Sequence, residues 1–240
     1  MFNRKNDAKT LENFIQNIYF ANELSTKESI KNLEESLIEL VQYKKYHSSN
    51  GLLVTENGYF ITNFHCVKGH KKDNIKVNYQ GKNYNIKICE PNLEEDLVLA
   101  KINLKGEQNP KRYKFFDTNS LKNYYLWDFP INLKTKHDGK IKEKYGHLKF
   151  NFCLDKTNKG EQKYANQIHT LIDTEKGDSG GIIIDKEGRL IALHSGAREI
   201  DENILELGLV KGKTLANQSK IFSALDLIQR YAHKLKSKTL

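Results

Sequence analysis

The sequence predicts an all-β chain with helices at both ends. Short apolar runs separated by turn residues follow one another at the intervals typical of barrel strands. Residues 8–34 and 221–235 instead carry apolar side chains at helical spacing. We therefore predict a helical N-terminal extension over 1–35, a first β-barrel over 36–118, and a second β-barrel with a closing C-terminal helix over 119–240.

Composition favours a soluble globular protein. The 240 residues are enough to bury a sizeable core, and 38% hydrophobic with 29% charged residues suits an aqueous environment. No apolar run approaches the length that crosses a bilayer. The basic first residues are followed by neither an apolar core nor a small-residue cleavage site, so we expect no secretion signal. The sequence therefore predicts a cytoplasmic protein of bacterial type that does not contact a membrane.

Two helices are predicted in the N-terminal extension. The first has an apolar face, and Ser25 or Thr26 would cap the start of a second, shorter helix. Two interpretations remain open: a flap that packs on the main domain, or a regulatory segment that docks a partner protein. The apolar face of the first helix consists of Leu11, Phe14, Ile15, Ile18 and Tyr19.

From residue 36 the pattern changes to strands. Asn57 and Gly58 form the dipeptide that tight hairpin turns prefer, and they separate two apolar runs. A link between the two halves is expected at 117–121. In the first half we predict strands at 37–46, 51–55, 59–62, 75–79, 83–89 and 97–102. In the second half we predict strands at 148–154, 167–172, 182–184, 190–194 and 207–210, before the helix at 221–235.

A serine between glycines marks the point around which the chain is organised. Ser179 has Gly177 and Gly180 close on either side and precedes the apolar run 182–184. Glycine takes backbone angles that other residues resist, so neighbouring N–H groups can converge on one point. A hydroxyl beside converging N–H groups is half of an acyl-transfer site, a nucleophile with an oxyanion hole.

Two upstream residues supply a base and an acid. His65 follows an apolar strand, and Asp96 directly precedes another, so Asp96 is the acid most readily buried against an imidazole. A carboxylate that accepts the second N–H of a histidine fixes its tautomer and stabilises the imidazolium. The alternative is a surface histidine, a solvated acid and a serine that merely occupies a turn.

Three segments in the order His, Asp, Ser resemble the trypsin-like serine peptidase family. They are Thr-Asn-Phe-His-Cys at 62–66, Asp-Leu-Val-Leu at 96–99 and Gly-Asp-Ser-Gly-Gly at 177–181. The resemblance covers residues from about 36 to about 230 and implies a chymotrypsin-like double β-barrel.

The resemblance also implies roles for the motif residues. His65 would be the base, Asp96 its partner and Ser179 the nucleophile, with the backbone N–H groups of Gly177 and Ser179 as the oxyanion hole. The implied function is a serine endopeptidase that acts on protein or peptide substrates through an acyl-enzyme. Two alternatives are a non-catalytic module on the same fold, which would bind nucleic acid or an acidic protein, and an esterase.

Two features point to opposite specificities within this family. Asp173 lies where trypsins carry the carboxylate that receives lysine or arginine. Thr174 and His194, with Ser195 and Gly196 after it, are similar to the residues with which glutamyl endopeptidases receive an acidic side chain. We favour the glutamyl endopeptidase-like branch, with cleavage after glutamate or aspartate.

Asp178 raises the question of activation. In trypsin-like zymogens the aspartate before the serine pairs with a newly formed N-terminal amine, but this chain has no evident activation sequence at its first strand. An unpaired buried carboxylate is costly, so we expect Asp178 to find a lysine, a water-filled site or a conformational switch. The enzyme would then be latent, or tuned by a regulatory protein acting through the N-terminal helices.

Cysteine use and charge exclude several other functions. Cys66, Cys89 and Cys153 are an odd number and predict no disulfide framework. No Cys or His pair has ligand spacing, and we expect neither a metal nor an organic cofactor. The net charge of +9 fits a solvated lysine-rich surface, or a basic face that steers acidic partners. Aromatic residues do not interleave with the lysines, so nucleic acid is an unlikely partner.

Overall fold

A computed structural model gives the fold of most of the chain. No helix in the described part is long and apolar enough to cross a membrane. The described residues are 4–20, 23–42, 47–68, 75–104, 112–116, 128–149, 167–199 and 214–238.

The first half is a curled, antiparallel seven-stranded sheet with the order β5-β4-β1-β2-β3-β7-β6. Its interior is filled by alternate residues of β1, β3, β4 and β7, such as Ile38, Phe60 and Val77. The strands are β1 (Leu37–Gln42), β2 (His47–Leu53), β3 (Tyr59–Asn63), β4 (Ile75–Tyr79), β5 (Lys82–Asn85), β6 (Lys87–Asn92) and β7 (Leu97–Lys101).

The second half closes on itself. Its sheet has the order β12-β9-β10-β11-β14-β13-β8, and β12 also pairs with β13, so six strands form a ring. Strand β8 pairs in parallel with the edge of β13. The strands are β8 (Lys114–Phe115), β9 (Asp128–His137), β10 (Lys140–Lys149), β11 (Gln167–Leu171), β12 (Ile182–Asp185), β13 (Arg189–Glu199) and β14 (Thr214–Lys220). The predicted all-β double barrel is confirmed.

The strand pattern differs from the prediction in several places, among them the unpredicted short strand β8. The strand predicted at 83–89 is two strands, β5 and β6, separated at Ile86. The lysine-rich segment around 134–144 is the long hairpin of β9 and β10, because apolar residues such as Leu133 alternate with the lysines and fill the barrel. Strand β14 was not predicted, and the strand predicted at 207–210 lies outside the described residues, as does the expected link at 117–121.

In the part of the chain that the structure describes, three α-helices flank the barrels: α1 (Arg4–Phe20), α2 (Thr26–Ser36) and α3 (Ile221–Ser237). Helix α2 begins with the predicted cap, since Ser25 accepts from the backbone N–H of Glu28, whose side chain reaches back to Ser25. Helix α1 packs along α3. The two terminal helices therefore cover the barrels together.

The N-terminal helices are built into the core. Leu11 and Phe14 of α1 are buried, and Phe14 packs edge-on against Tyr113. Asp7 of α1 forms an ion pair of 2.6 Å with Lys101 of β7. In α2 the Ser29 hydroxyl donates to the Gly188 carbonyl at 2.7 Å. These contacts are those of a flap packed on the main domain.

Candidate active site

Strand pairing brings His65 beside Asp96. Strand β3 ends at Asn63 and pairs with β7 in a register that places Asn63 opposite Leu97. The chain then turns through a short 3₁₀ helix, Phe64–Cys66, which puts His65 next to the residue that precedes β7. Asp96 has a left-handed backbone, φ 51°, which aspartate tolerates better than most residues. Its carbonyl accepts from the backbone N–H of Phe64 at 2.9 Å, which helps to hold this conformation.

Both carboxylate oxygens of Asp96 hold His65. Asp96 Oδ2 lies 2.6 Å from His65 Nδ1, and Oδ1 accepts from the His65 backbone N–H at 2.9 Å. Nδ1 therefore carries the proton, and Nε2 points away from the acid. The hydrogen bond that His65 donates to Asp96 raises the pKa of His65 to about 10. Burial opposes ionisation of Asp96, but hydrogen bonds from His65 and Ser195 outweigh it and lower the pKa of Asp96.

Ser195 has a contact that sequence reasoning missed. It was predicted among the residues that receive substrate, yet its hydroxyl donates to Asp96 Oδ2 at 2.7 Å. Its backbone carbonyl accepts from the hydroxyl of Ser179 at 3.2 Å. Ser195 therefore links the acid of the first barrel to the serine turn of the second. Ser195 lies within the eleven-residue strand β13, and its place in that strand gives no sequence signal for this contact.

The turn that carries Ser179 needs its glycines. Gly177 and Gly180 have φ of 111° and 79°, angles that other residues rarely adopt. A Cβ on Gly180 would also overlap the backbone carbonyl of Asn50. Backbone hydrogen bonds of 2.7 Å join Gly180 N–H to the His194 carbonyl and His194 N–H to the Gly181 carbonyl. The turn is thus fixed against β13.

Asn50 fixes the same turn from the first barrel, and sequence reasoning gave it no role. Its backbone N–H donates to the Ser179 carbonyl at 2.6 Å, and its side-chain amide donates to the Gly177 carbonyl at 2.9 Å. The amide oxygen accepts from the Lys136 backbone N–H of β9 at 2.6 Å. Asn50 is completely buried, so these bonds are shielded from water. No neighbouring pattern distinguishes this asparagine from the many others in the sequence.

Two N–H groups of the turn remain available. Within the described part of the chain, the backbone N–H groups of Gly177 and Ser179 have no acceptor, whereas those of Asp178, Gly180 and Gly181 do. They are the two groups predicted to form an oxyanion hole. Their availability is the condition for receiving an oxygen that gains negative charge.

Ser179 is linked to His65 through Ser195 and Asp96, but in the described residues no hydrogen bond joins Ser179 to His65 directly. The Ser179 hydroxyl bonds to the Ser195 carbonyl, and His65 Nε2 lies 3.6 Å from Cys66 Sγ. The side chain of His65 is 46% exposed. Catalytic hydrogen bonds are often made only when substrate is bound, so this geometry does not argue against a nucleophile and its base.

Asp178 forms an ion pair with a lysine. Its side chain is 0% exposed, and Oδ2 accepts from Lys144 Nζ at 2.7 Å and from the Glu175 backbone N–H at 2.8 Å. The other oxygen lies 3.4 Å from His137 Nε2. Burial opposes the charge of Lys144, but its bonds to Asp178 and Glu175 leave its pKa raised. Of the three partners expected for this carboxylate, a lysine, a water-filled site or a conformational switch, the structure shows the lysine, Lys144.

The residues predicted to receive the substrate side chain have unequal exposure. Asp173 is exposed and Thr174 is half-buried. His194 is buried, with 2% of its surface exposed. A Cβ on Gly196 would meet no atom within 4 Å, so open space adjoins β13 at this point. Cys66 and Cys89 form no disulfide in the described part of the chain, and Cys153 lies outside it.

Two antiparallel β-barrels, with a histidine and an aspartate in the first and a glycine-flanked serine in the second, define the chymotrypsin-like class of serine peptidases. A family model described as the trypsin-like peptidase domain matches residues 49–193, more than half of the chain. The chain therefore belongs to the trypsin-like peptidase family.

Two curated relatives belong to the same class. The probable periplasmic serine endoprotease DegP-like of Buchnera aphidicola subsp. Schizaphis graminum is 22% identical over 178 residues, which are 73% of this chain and 35% of that protein. The probable serine protease do-like of Buchnera aphidicola subsp. Acyrthosiphon pisum is 22% identical over 160 residues, 67% of this chain and 32% of that protein. The chain spans about one third of the length of these relatives.

Solved structures share the fold. A serine endoprotease from Yersinia pestis aligns with a TM-score of 0.59 at 13% identity, over 88% of this chain and 67% of the other. A protease of Mycobacterium tuberculosis in an inactive form aligns with a TM-score of 0.60 at 14% identity, over 85% of this chain and 90% of the other. At these identities the likeness establishes the fold alone.

Proposed function

We propose that this chain is a serine endopeptidase that cleaves proteins or peptides with Ser179 as nucleophile, His65 as general base and Asp96 as the acid that orients it. The observation that carries the proposal is the 2.6 Å bond between Asp96 Oδ2 and His65 Nδ1. It leaves Nε2 as the acceptor of the ring, the atom that would take the proton of Ser179. A surface histidine with no catalytic task has no need of this orientation.

The reaction follows from these positions. As Ser179 Oγ attacks the scissile carbonyl carbon, its proton passes to His65 Nε2. The N–H groups of Gly177 and Ser179 bind the oxygen that becomes negative. The C–N bond then breaks, the leaving amine takes the proton from Nε2, and Ser179 is left acylated. Water attacks the ester through the same steps and returns the free serine.

We propose that the resting enzyme is latent. Attack requires Ser179 Oγ to exchange its bond to the Ser195 carbonyl for one to His65 Nε2. Latency is supported by the resting contacts, in which Ser179 Oγ bonds to Ser195 and His65 Nε2 lies against Cys66. A substrate or a regulatory protein would favour the second arrangement. The test compares the turnover rate of the purified chain, divided by the amount of serine that a covalent probe labels, with and without added regulatory protein. Equal rates in the two conditions would exclude latency.

For specificity we retain the glutamyl endopeptidase-like proposal, cleavage after glutamate or aspartate. It is supported by the half-buried Thr174 and the buried His194, compared with the exposed Asp173. The test is a peptide library in which the residue directly before the scissile bond is varied over all amino acids. Cleavage confined to lysine and arginine would assign the specificity to Asp173 instead, and the His194→Ala variant would then keep the wild-type preference.

We also retain the cytoplasm as the proposed location, although one relative is named as periplasmic. Fractionation of cells that express the full natural gene tests this proposal.

The test of the catalytic proposal is covalent labelling. A fluorophosphonate probe should modify the wild-type protein on the peptide that contains Ser179 and should leave Ser179→Ala unlabelled. His65→Ala should label at least a hundredfold more slowly, because proton transfer contributes factors of about 10²–10⁴. Labelling that survives Ser179→Ala would refute the assignment of the nucleophile.

A further inference from the structure

A cavity separate from the serine cleft lies between the terminal helices and the first barrel. Its volume is about 130 Å³, and its walls come from α1, α3, β3, β6 and β7. None of the residues assigned to catalysis lines it. Water occupies about 30 Å³ per molecule in the liquid, so the cavity holds about four waters or one tetrahedral oxyanion group.

The floor of the cavity is a buried polar cluster. Lys101 Nζ donates to Asp7 Oδ1 at 2.6 Å and lies 4.4 Å above the centre of the Tyr59 ring. Asp7 Oδ1 also accepts from the side-chain amide of Asn57 at 2.9 Å. The Asp7 carboxylate is therefore already engaged by donors of the protein, from Lys101, Asn57 and Tyr59. The ammonium group of Lys101 is fixed at the bottom of the cavity rather than at the surface.

Two phenols form part of the walls. Tyr59 and Tyr231 both line the cavity. Burial raises the pKa of each of the two phenols, with the charge of Asp7 adding to the effect at Tyr59. Both therefore keep their protons across the physiological range, and their hydroxyls bond within the wall, that of Tyr59 to Asp7 and that of Tyr231 to Cys89. The walls thus leave the recognition of an anion to the lysines.

The rim is positively charged. Lys87, Lys234 and Lys238 join Lys101 in the lining, and all three are exposed. Glu90 pairs with Lys234 at 2.6 Å. Four lysines against the two carboxylates of Asp7 and Glu90 leave an excess of positive charge around a concave surface. Such an arrangement concentrates the positive potential and attracts anions.

We propose that this cavity binds a small phosphate-bearing ligand, with its phosphate between the ammonium groups of Lys87, Lys101 and Lys238. Lysine binds phosphate as a point charge, whereas planar carboxylates favour the fork of arginine. The lining holds four lysines and no arginine, so phosphate is the better match. Because α1, α3 and β6–β7 all line the cavity, the ligand would also join the two ends of the chain to the first barrel.

The experiment measures the binding of inorganic phosphate to the full chain by calorimetry and by thermal unfolding, with ionic strength held constant by chloride. The test variant is Lys87→Gln/Lys238→Gln. The matched control is Lys82→Gln/Lys186→Gln, which removes two exposed lysines that do not line the cavity. Equal melting temperatures of all proteins without phosphate verify that the exposed substitutions leave the fold intact.

We expect phosphate at about a hundred times its Kd to raise the melting temperature of the wild type and control by about 5 °C. In the cavity variant the Kd should rise at least tenfold and the shift should be lost. A shift no larger than that of chloride, or an equal shift in the cavity variant, would overturn the proposal. Acetate that binds more tightly than phosphate would also overturn it, since the site would then select carboxylates.

Discussion

The ion pair between Lys144 and Asp178 should determine whether the oxyanion hole is formed, and Lys144→Met tests this directly. Asp178 is 0% exposed, and Lys144 is 21% exposed. Removing one partner of a buried pair costs about 3–5 kcal/mol. Because Lys144 is partly solvated and the Glu175 N–H remains on the carboxylate, we expect a smaller cost of about 2–3 kcal/mol.

This cost falls on the turn that carries the catalytic groups. Asp178 lies between Gly177 and Ser179, whose N–H groups form the proposed oxyanion hole. A free-energy change of about 1.4 kcal/mol corresponds to a tenfold change in population. The population of molecules in which the N–H groups of Gly177 and Ser179 are both in place should therefore fall about 30- to 150-fold. The rate of fluorophosphonate labelling and kcat/KM should fall by the same factor, and the melting temperature by about 4–12 °C.

The controls separate charge pairing from simple loss of a lysine. Lys142→Met removes an exposed lysine two residues earlier on the same strand and should label at the wild-type rate. The double variant Lys144→Met/Asp178→Asn carries no buried charge at this point and should recover at least part of both losses. If Lys144→Met labels and unfolds as the wild type does, the reasoning about Asp178 is wrong.

Three further predictions concern the acid, its second donor and Asn50. Only neutral His65 accepts a proton, and Asp96 raises the pKa of His65. The value of kcat/KM should therefore rise with pH, with a midpoint above the ordinary histidine value of about 6.5. The Asp96→Asn variant should lower this midpoint and reduce kcat by about 10⁴-fold. Ser195→Ala removes a hydrogen bond to the charged carboxylate of Asp96, so kcat/KM should fall about tenfold or more and the midpoint of the pH profile should move. An unchanged pH profile would show that Ser195 does not influence Asp96. Asn50→Ala leaves the Gly177 carbonyl and the Lys136 N–H without partners, and urea unfolding should show a loss of about 2–4 kcal/mol; a loss below about 0.5 kcal/mol would refute its proposed part in fixing the turn.

The sequence predicted those parts of the site that short motifs specify. His65, Asp96 and Ser179 each adjoin an apolar strand, and local pattern is enough to find them. The helix cap at Ser25 and the closing helix were predicted for the same reason, because caps and helical periodicity are local.

Contacts that depend on tertiary packing could not be predicted in this way. Asn50 and Ser195 act through bonds to residues more than 80 positions away, such as Lys136 and Asp96. The β9–β10 hairpin was hidden because lysines alternate with its apolar residues, so composition indicated a charged surface, whereas Lys134 is buried and paired with Glu34. The need of Asp178 for a cation followed from its motif, but the choice of Lys144 followed only from the pairing of β10 within the second barrel.

Trapping the acyl-enzyme tests the central claim most directly. The purified protein would be mixed rapidly with an activated ester of a peptide ending in glutamate, quenched in acid and examined by intact mass and peptide mapping. The account predicts an added acyl mass on the peptide that carries Ser179, formed in a burst that Ser179→Ala abolishes. Hydrolysis of the ester with no covalent species at any time, and at an equal rate in Ser179→Ala, would contradict the account.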